Sequence, residues 1–301
     1  MPRRLRPRPR PGLLSRTLLA ALLALSLAGP EASARDATQK QGNPQASQQV
    51  PATQTPAPQA GAGAARKPQE GPGESIDDAR QYKHCIALAR QKPDEGWEEA
   101  LAWTSLGGGD PARHCGAIAL IGMRQFAEGA QRLEDLATGS HRNAKLRAGM
   151  LAQAGQAWLL ADNPERANAA QTAALKLVPG APDLLVDRSQ SLAAAKNYRD
   201  ARADLDLALK TSPDRVDALT FRATAKRYLD DSKGAMEDID HALKVDPHYQ
   251  DAWLEQGILK RLAGDNDGAR QSWLKVLDIA PTSSAADMAR RNIELLDVKD
   301  R

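Results

Sequence analysis

The sequence predicts an all-α fold, an α-solenoid of about six helix pairs closed by a C-terminal capping helix, and three observations lead there. Pro179, Pro213, Pro247 and Pro281 fall 34 residues apart, a period that belongs to stacked supersecondary units. Aligned on these prolines, the chain falls into four blocks starting at Ala148, Pro182, Val216 and Gln250. Position 8 of each block is small (Gly155, Ser189, Ala223, Gly257), and position 20 is always alanine (Ala167, Ala201, Ala235, Ala269). Between these columns lie turn formers, Asp162-Asn163-Pro164, Lys196-Asn197, Asp230-Asp231-Ser232 and Gly264-Asp265-Asn266. Each block therefore reads as helix, short turn, helix, with a proline that ends the second helix or starts the next.

Taken in chain order, residues 1–34 read as a secretory signal peptide. Arg3, Arg4, Arg6, Arg8, Arg10 and Arg16 precede an apolar run from Leu18 to Ala28, and Ala32-Ser33-Ala34 supplies a small-x-small cleavage site. Residues 35–74 are rich in Gln, Pro, Ala and Gly and hold almost no large apolar side chain. They are expected to be a disordered linker that tethers the solenoid or offers a Gln/Pro-rich strand to a partner. The solenoid takes up 75–301. Its first part, 81–147, holds two degenerate repeats, the second anchored by Phe126-Ala127-Glu128-Gly129-Ala130. The first centres on Trp97-Glu98-Glu99-Ala100, where Gly107-Gly108-Gly109-Asp110-Pro111 is expected to cut the second helix short. Residues 148–283 are the four regular repeats, and 284–297, with Met288, Ile293, Leu295 and Leu296 among charges, read as the capping helix that an open stack requires.

A pair of columns supports the helix-pair geometry. Position 7 is Arg188 and Arg222 in the middle blocks, and position 23 is Asp204 and Asp238 in the same two. In the outer blocks both partners change together, to Ala154 with Ala170 and to Gln256 with Ser272. The expectation is an Arg–Asp bridge between the two helices of a repeat.

Small residues at positions 8, 20 and 27 and proline at 32 of a 34-residue unit resemble the tetratricopeptide repeat, with Trp253 and Gly257 standing where that family prefers an aromatic residue and a glycine. The resemblance covers 148–283. It implies a solenoid whose first helices line a concave face that binds protein segments. On that face it places Asp183, Asp187, Gln190, Asp217, Thr220, Phe221, Thr224, Arg227, Tyr228, Asp251, Leu254, Glu255 and Arg261. Acids outnumber bases there, so the expected occupant is a basic or neutral extended segment, with Phe221 and Tyr228 as aromatic contacts. The lysine and asparagine set with which some family members clamp chaperone carboxyl termini is missing.

Two cysteines occur in the whole chain, in Lys83-His84-Cys85 and Arg113-His114-Cys115. Both are read at position 5 of adjacent first helices, and in an exported chain a Cys85–Cys115 disulfide is the leading reading. A buried free pair and a metal site built from His84, Cys85, His114 and Cys115 are the alternatives; neighbours on a helix point about 100° apart, which handicaps the metal site.

Charge argues against nucleic acid as a partner. Of 41 basic and 38 acidic residues, six and one fall in the leader, so the rest carries 35 and 37, a formal −2 in place of +3. No Gly-x-Ser-x-Gly, phosphate loop or dinucleotide fingerprint is present. The expected protein is thus not an enzyme and needs no cofactor or metal. It reads as a protein-binding scaffold or adaptor of the cell envelope, exported across the inner membrane to the periplasm without stable membrane insertion. The alternative is a metal- or redox-linked periplasmic maturation factor using the His-Cys pairs.

Overall fold

The computed structural model describes residues 76–299, and the leader and linker readings lie outside them. Among the described residues there are thirteen α-helices and no strand. Six antiparallel pairs follow one another: α1 (Ile76–Gln91) with α2 (Pro93–Ser105), α3 (Gly109–Gly122) with α4 (Phe126–Gly139), and α5 (Ala144–Leu160) with α6 (Pro164–Leu177). Then come α7 (Pro182–Ala194) with α8 (Tyr198–Thr211), α9 (Val216–Tyr228) with α10 (Ser232–Val245), and α11 (Gln250–Leu262) with α12 (Asn266–Ile279). A single helix, α13 (Ser284–Lys299), closes the stack.

The turn inside each regular unit is one device used four times. Position 15 adopts positive φ: Asp162 (59°), Lys196 (62°), Asp230 (62°) and Gly264 (85°). The amide of that residue bonds three residues back and the next amide bonds five residues back, as in Lys196 N to Ala193 O (2.9 Å) and Asn197 N to Leu192 O (2.8 Å). This Schellman pattern uses the orphan carbonyls that end the first helix. The residue at position 16 then caps the second helix: Asn163, Asn197, Asp231 and Asp265 accept the amides of Arg166, Asp200, Gly234 and Gly268. At the far end, the residue before each proline leaves the helical region, with φ between −144° and −133° and ψ between 67° and 97°. Proline imposes this by clashing with a helical predecessor, so the second helices stop there.

Arg124, with φ of 64°, occupies the same turn position in the second unit. Counting back from it starts that unit at residue 110 and puts Cys115 at position 6, one place later than the spacing predicts. Two further boundaries differ from expectation. Helix α5 begins one turn ahead of Ala148, capped by Asn143 (Leu146 N to Oδ1, 3.0 Å). The glycines do not cut α2 short, since it runs 13 residues against 14 in its counterparts. Gly107 (φ 91°) turns the chain instead, and Gly109 itself opens α3.

The pair geometry rests on size complementarity between positions 8 and 24. Position 24 is Leu133, Gln171, Leu205, Ile239 and Trp273, all at 0–1% exposure. A Cβ on Gly257 would lie 2.2 Å from Trp273 Nε1, and one on Gly155 would lie 2.6 Å from Gln171 Cγ. The largest residue of the column thus faces a glycine, while Ile239 corresponds to Ala223. Interiors are packed densely enough for such one-carbon differences to be felt.

The expected bridges are present. Arg188 donates from Nε and Nη2 to Asp204 (2.7 Å each), and Arg222 does the same to Asp238 (2.9 and 2.7 Å). Each arginine also reaches back to the preceding unit, to Thr172 Oγ1 (3.4 Å) and Asp206 Oδ1 (2.9 Å), so the column ties repeat to repeat. In the last unit the charges give way to a neutral bond, Ser272 Oγ to Gln256 Oε1 at 2.8 Å.

Cys85 and Cys115 are fully buried and joined in a disulfide across α1 and α3, with Cα atoms 6.1 Å apart. They share a core with Ala89, Ala100, Trp103 and Ile118. At the other end α13 covers Trp273 and Leu254 mainly with Ala285, Ala286, Ala289 and Leu296. Met288 and Ile293 are partly buried there, whereas Leu295 is exposed. Small residues carry more of the cap contact than the apolar pattern predicts, because they let the helices approach closely.

Candidate functional site

The first helices face one another from unit to unit, and their shared face is floored by polar pairs. At the N-terminal end, the Tyr82 hydroxyl lies 2.9 Å from His114 Nδ1, and His114 Nε2 lies 2.7 Å from Gln153 Oε1. Burial lowers the His114 pKa, against the opposing hydrogen bond to Gln153. With Gln153 presenting its oxygen, the neutral ring donates from Nε2 and accepts the tyrosine proton at Nδ1. Between α5 and α7, Gln156 Nε2 donates to Asp187 Oδ1 at 3.2 Å.

Further along, Arg215 precedes α9 and forks onto Asp217 (2.8 and 2.9 Å) while its Nη1 bonds Asp183 of α7. Arg227 of α9 pairs with Glu255 of α11, Nε to Oε1 at 2.5 Å. The Arg227 guanidinium also lies over the Tyr228 ring, 4.4 Å from its centroid. The Tyr228 ring in turn stacks on Tyr198, with centroids 4.2 Å apart and planes 5° off parallel.

These contacts sort the groove residues drawn from the sequence. Asp183 and Asp217 are shared by Arg215, and Glu255, buried, is held by Arg227. Thr220 and Leu254 are buried too. The Thr220 hydroxyl bonds the Val216 carbonyl at 2.9 Å, and the Leu254 carbonyl accepts Trp273 Nε1 at 3.2 Å. The Thr224 hydroxyl bonds the Thr220 carbonyl, and Phe221 is half-buried against the core. Gln190 and Arg261 are half-buried, and Tyr228 is 52% exposed.

Asp187 and Asp251 are the two acids of this set that form no salt bridge among the described residues. Burial raises both pKa values, that of Asp187 to about 6 against the pull of its Gln156 hydrogen bond. Arg215 was missed from the sequence because position 34 lies in the connecting loop. The signal for it was an arginine two residues before Asp217.

The metal reading of the His-Cys pairs loses its ligands. Both sulfurs bond each other, His84 is exposed, and His114 is committed to Tyr82 and Gln153. Among the described residues no group of three or more His, Cys, Asp or Glu side chains is placed to hold a metal ion.

No protein-family model and no curated protein matches the chain. Among solved structures, TTC0263, a thermophilic TPR protein of Thermus thermophilus, superposes with a TM-score of 0.52 at 14% identity, covering 62% of this chain and 99% of its own. MamA from residue 41 onward, from Desulfovibrio magneticus RS-1, gives 0.47 at 18% identity over 55% of this chain and 92% of its own. YrrB, described as a TPR protein with an unusual peptide-binding site, gives 0.44 at 16% identity over 63% and 96%. At such identities the likeness is one of fold.

Proposed function

We propose, on the premise that this chain has a tetratricopeptide-type α-solenoid fold, that it is a non-catalytic scaffold which holds an extended, neutral-to-basic segment of a partner protein against the first helices of its last three units. The observation that carries this reading is the residual charge of that face. Asp183 and Asp217 share the single charge of Arg215 and Glu255 takes that of Arg227, while Asp187 and Asp251 form no salt bridge among the described residues, so the acids of this face outnumber the guanidinium groups that hold them. A partner lysine or arginine would supply the missing counter-charge, and Tyr228, 52% exposed although its ring stacks on Tyr198 and lies under Arg227, an aromatic contact. The leader-like residues 1–34 support export to the periplasm.

Asp187→Asn with Asp251→Asn is expected to weaken capture of partners crosslinked in the producing cells and to flatten the salt dependence of that capture. A partner profile unchanged by the double variant would refute the reading. Export is checked separately by cell fractionation, with a mature amino terminus at Arg35 expected.

A further inference from the structure

We infer that the open cleft between α2, α3 and α4 binds a small carboxylate carried on a flat apolar ring, in the place that an arginine of the chain itself fills further along the stack. In two of the regular units the position-7 arginine is held by the aspartate at position 23, Arg188 by Asp204 and Arg222 by Asp238. The same arginine reaches the ninth residue of the preceding second helix, Thr172 of α6 or Asp206 of α8. The second unit, counted from residue 110, carries the opposite set. Position 7 is Gly116, position 23 is Arg132, and the ninth residue of α2 is Leu101, 50% exposed. The side chain that crosses between units elsewhere is therefore absent, and a guanidinium stands where the receiving carboxylate stood.

The cleft encloses about 360 Å³. At about 30 Å³ per water it has room for roughly twelve water-sized groups, near the lower end of ligand pockets. Trp97 forms its flat wall. A Cβ on Gly116 would lie 3.2 Å from Trp97 Cζ3, and the Arg132 guanidinium sits 5.1 Å from the centroid of a Trp97 ring. Among the described residues Arg132 donates only from Nε, to Glu128 at 2.9 Å, and Arg113, exposed on α3, forms no salt bridge. Two guanidinium groups thus line the cleft against one carboxylate, Asp135, which accepts from Gln131 at 2.8 Å. The third unit shows what such an arrangement takes. There Arg166 lies 3.9 Å over the Trp158 ring and holds the carboxylate of Glu134, from the unit before, at 2.5 Å. Arg132 over Trp97 has the ring and lacks that inter-unit acid. A ligand carboxylate, with a ring to lay against Trp97 and Leu101, completes the set.

The test is calorimetric titration of the full chain with indole-3-acetate, a ring of suitable size bearing one carboxylate. One site with a Kd of about 0.1 mM is expected, and indole-3-acetamide, which has the same ring without the charge, should bind at least about tenfold more weakly. Arg132→Gln and Arg113→Gln, both at exposed positions and checked by circular dichroism, should each weaken binding of the acid about tenfold. Gly116→Arg with Arg132→Asp rebuilds the bridge of the regular units and should remove binding by filling the cleft; if that double variant does not fold, the arginine singles decide. No saturable binding, equal affinity for acid and amide, arginine singles that bind like the parent, or undiminished binding by the refilled cleft would overturn the inference. So would loss of binding in Asp187→Asn with Asp251→Asn, because the cleft and the proposed partner face lie on different units. The same separation leaves the proposed function standing if the cleft binds nothing.

Discussion

The Arg188–Asp204 bridge offers a sharp test of how this stack is held, because the last unit contains its neutral replacement. Asp204 keeps 6% of its side chain exposed and Arg188 keeps 25%, so the two singles should differ. Arg188→Gln strands a buried carboxylate. Breaking a fully buried pair costs about 3–5 kcal/mol, and the water that reaches Arg188 can relieve part of that, leaving about 2 kcal/mol after discounting for exposure. Asp204→Ser instead leaves an arginine able to turn outward and should cost about 1 kcal/mol. The double variant copies Gln256 with Ser272, whose hydrogen bond is 2.8 Å long, and should lie within about 1 kcal/mol of the parent. At about 2–4 °C per kcal/mol for a protein of this size, Arg188→Gln should lower the melting temperature by roughly 4–8 °C, with the double variant recovering at least half. The assay is a double-mutant cycle by urea and thermal unfolding. Should Arg188→Gln match the parent, or the double variant be as unstable as the sum of the singles, the column would not be a coupled pair.

Three more outcomes are expected. Gly257→Ala drives a methyl into Trp273 and should destabilise by about 1–3 kcal/mol, while Gly257→Ala with Trp273→Ile, which recreates the Ala223–Ile239 combination, should restore most of the loss in the same unfolding assay. Replacing Cys85 and Cys115 by serine opens a crosslink spanning 30 residues and should cost about 3–4 kcal/mol in the chain-entropy model; limited proteolysis should then cut first within α1 to α4. The raised Asp187 pKa means that the folded state binds its proton more tightly, so this group contributes stability in full below its unfolded value of 3.8 and loses it as pH rises through about 6. Asp187→Asn should therefore melt higher than the parent at pH 7.5 and match it at pH 4, and a constant offset across that range would show that Asp187 does not titrate as described.

What the sequence made legible was whatever a single residue type satisfies alone. Proline at position 32 and alanine at position 20 repeat because a chain stop and a close approach each have few solutions, and those columns yield the four regular pairs. Position 15 was read as the start of a turn, but its positive φ was not, for the opposite reason. Its left-handed backbone is imposed by the hairpin and tolerated by Arg124, Asp162, Lys196 and Asp230 as well as by Gly264, so no residue type marks it, although a non-glycine there costs about 1–2 kcal/mol. Position 24 was hidden because what is preserved is its fit to position 8. Trp273 with Gly257 and Ile239 with Ala223 are two ways of filling a similar space.

The candidate binding face was the least legible part, and its physics explains why. Its floor is built from contacts between units that do not repeat at fixed positions: Tyr82 with His114 and Gln153, Gln156 with Asp187, Arg215 with two aspartates, Arg227 with Glu255. Reading down a column counts charges without seeing which are spent, so five acids against two bases looked like an acidic strip. Arg215, outside those columns, is shared by two of the five, and Arg227 holds a third, so two positive charges offset three negative ones. The two acids with no salt bridge among the described residues, Asp187 and Asp251, lie two repeats apart, at positions 6 and 2 of their blocks. A ligand recognised there must carry its cations at a matching separation, which is a constraint on spacing as well as on sign.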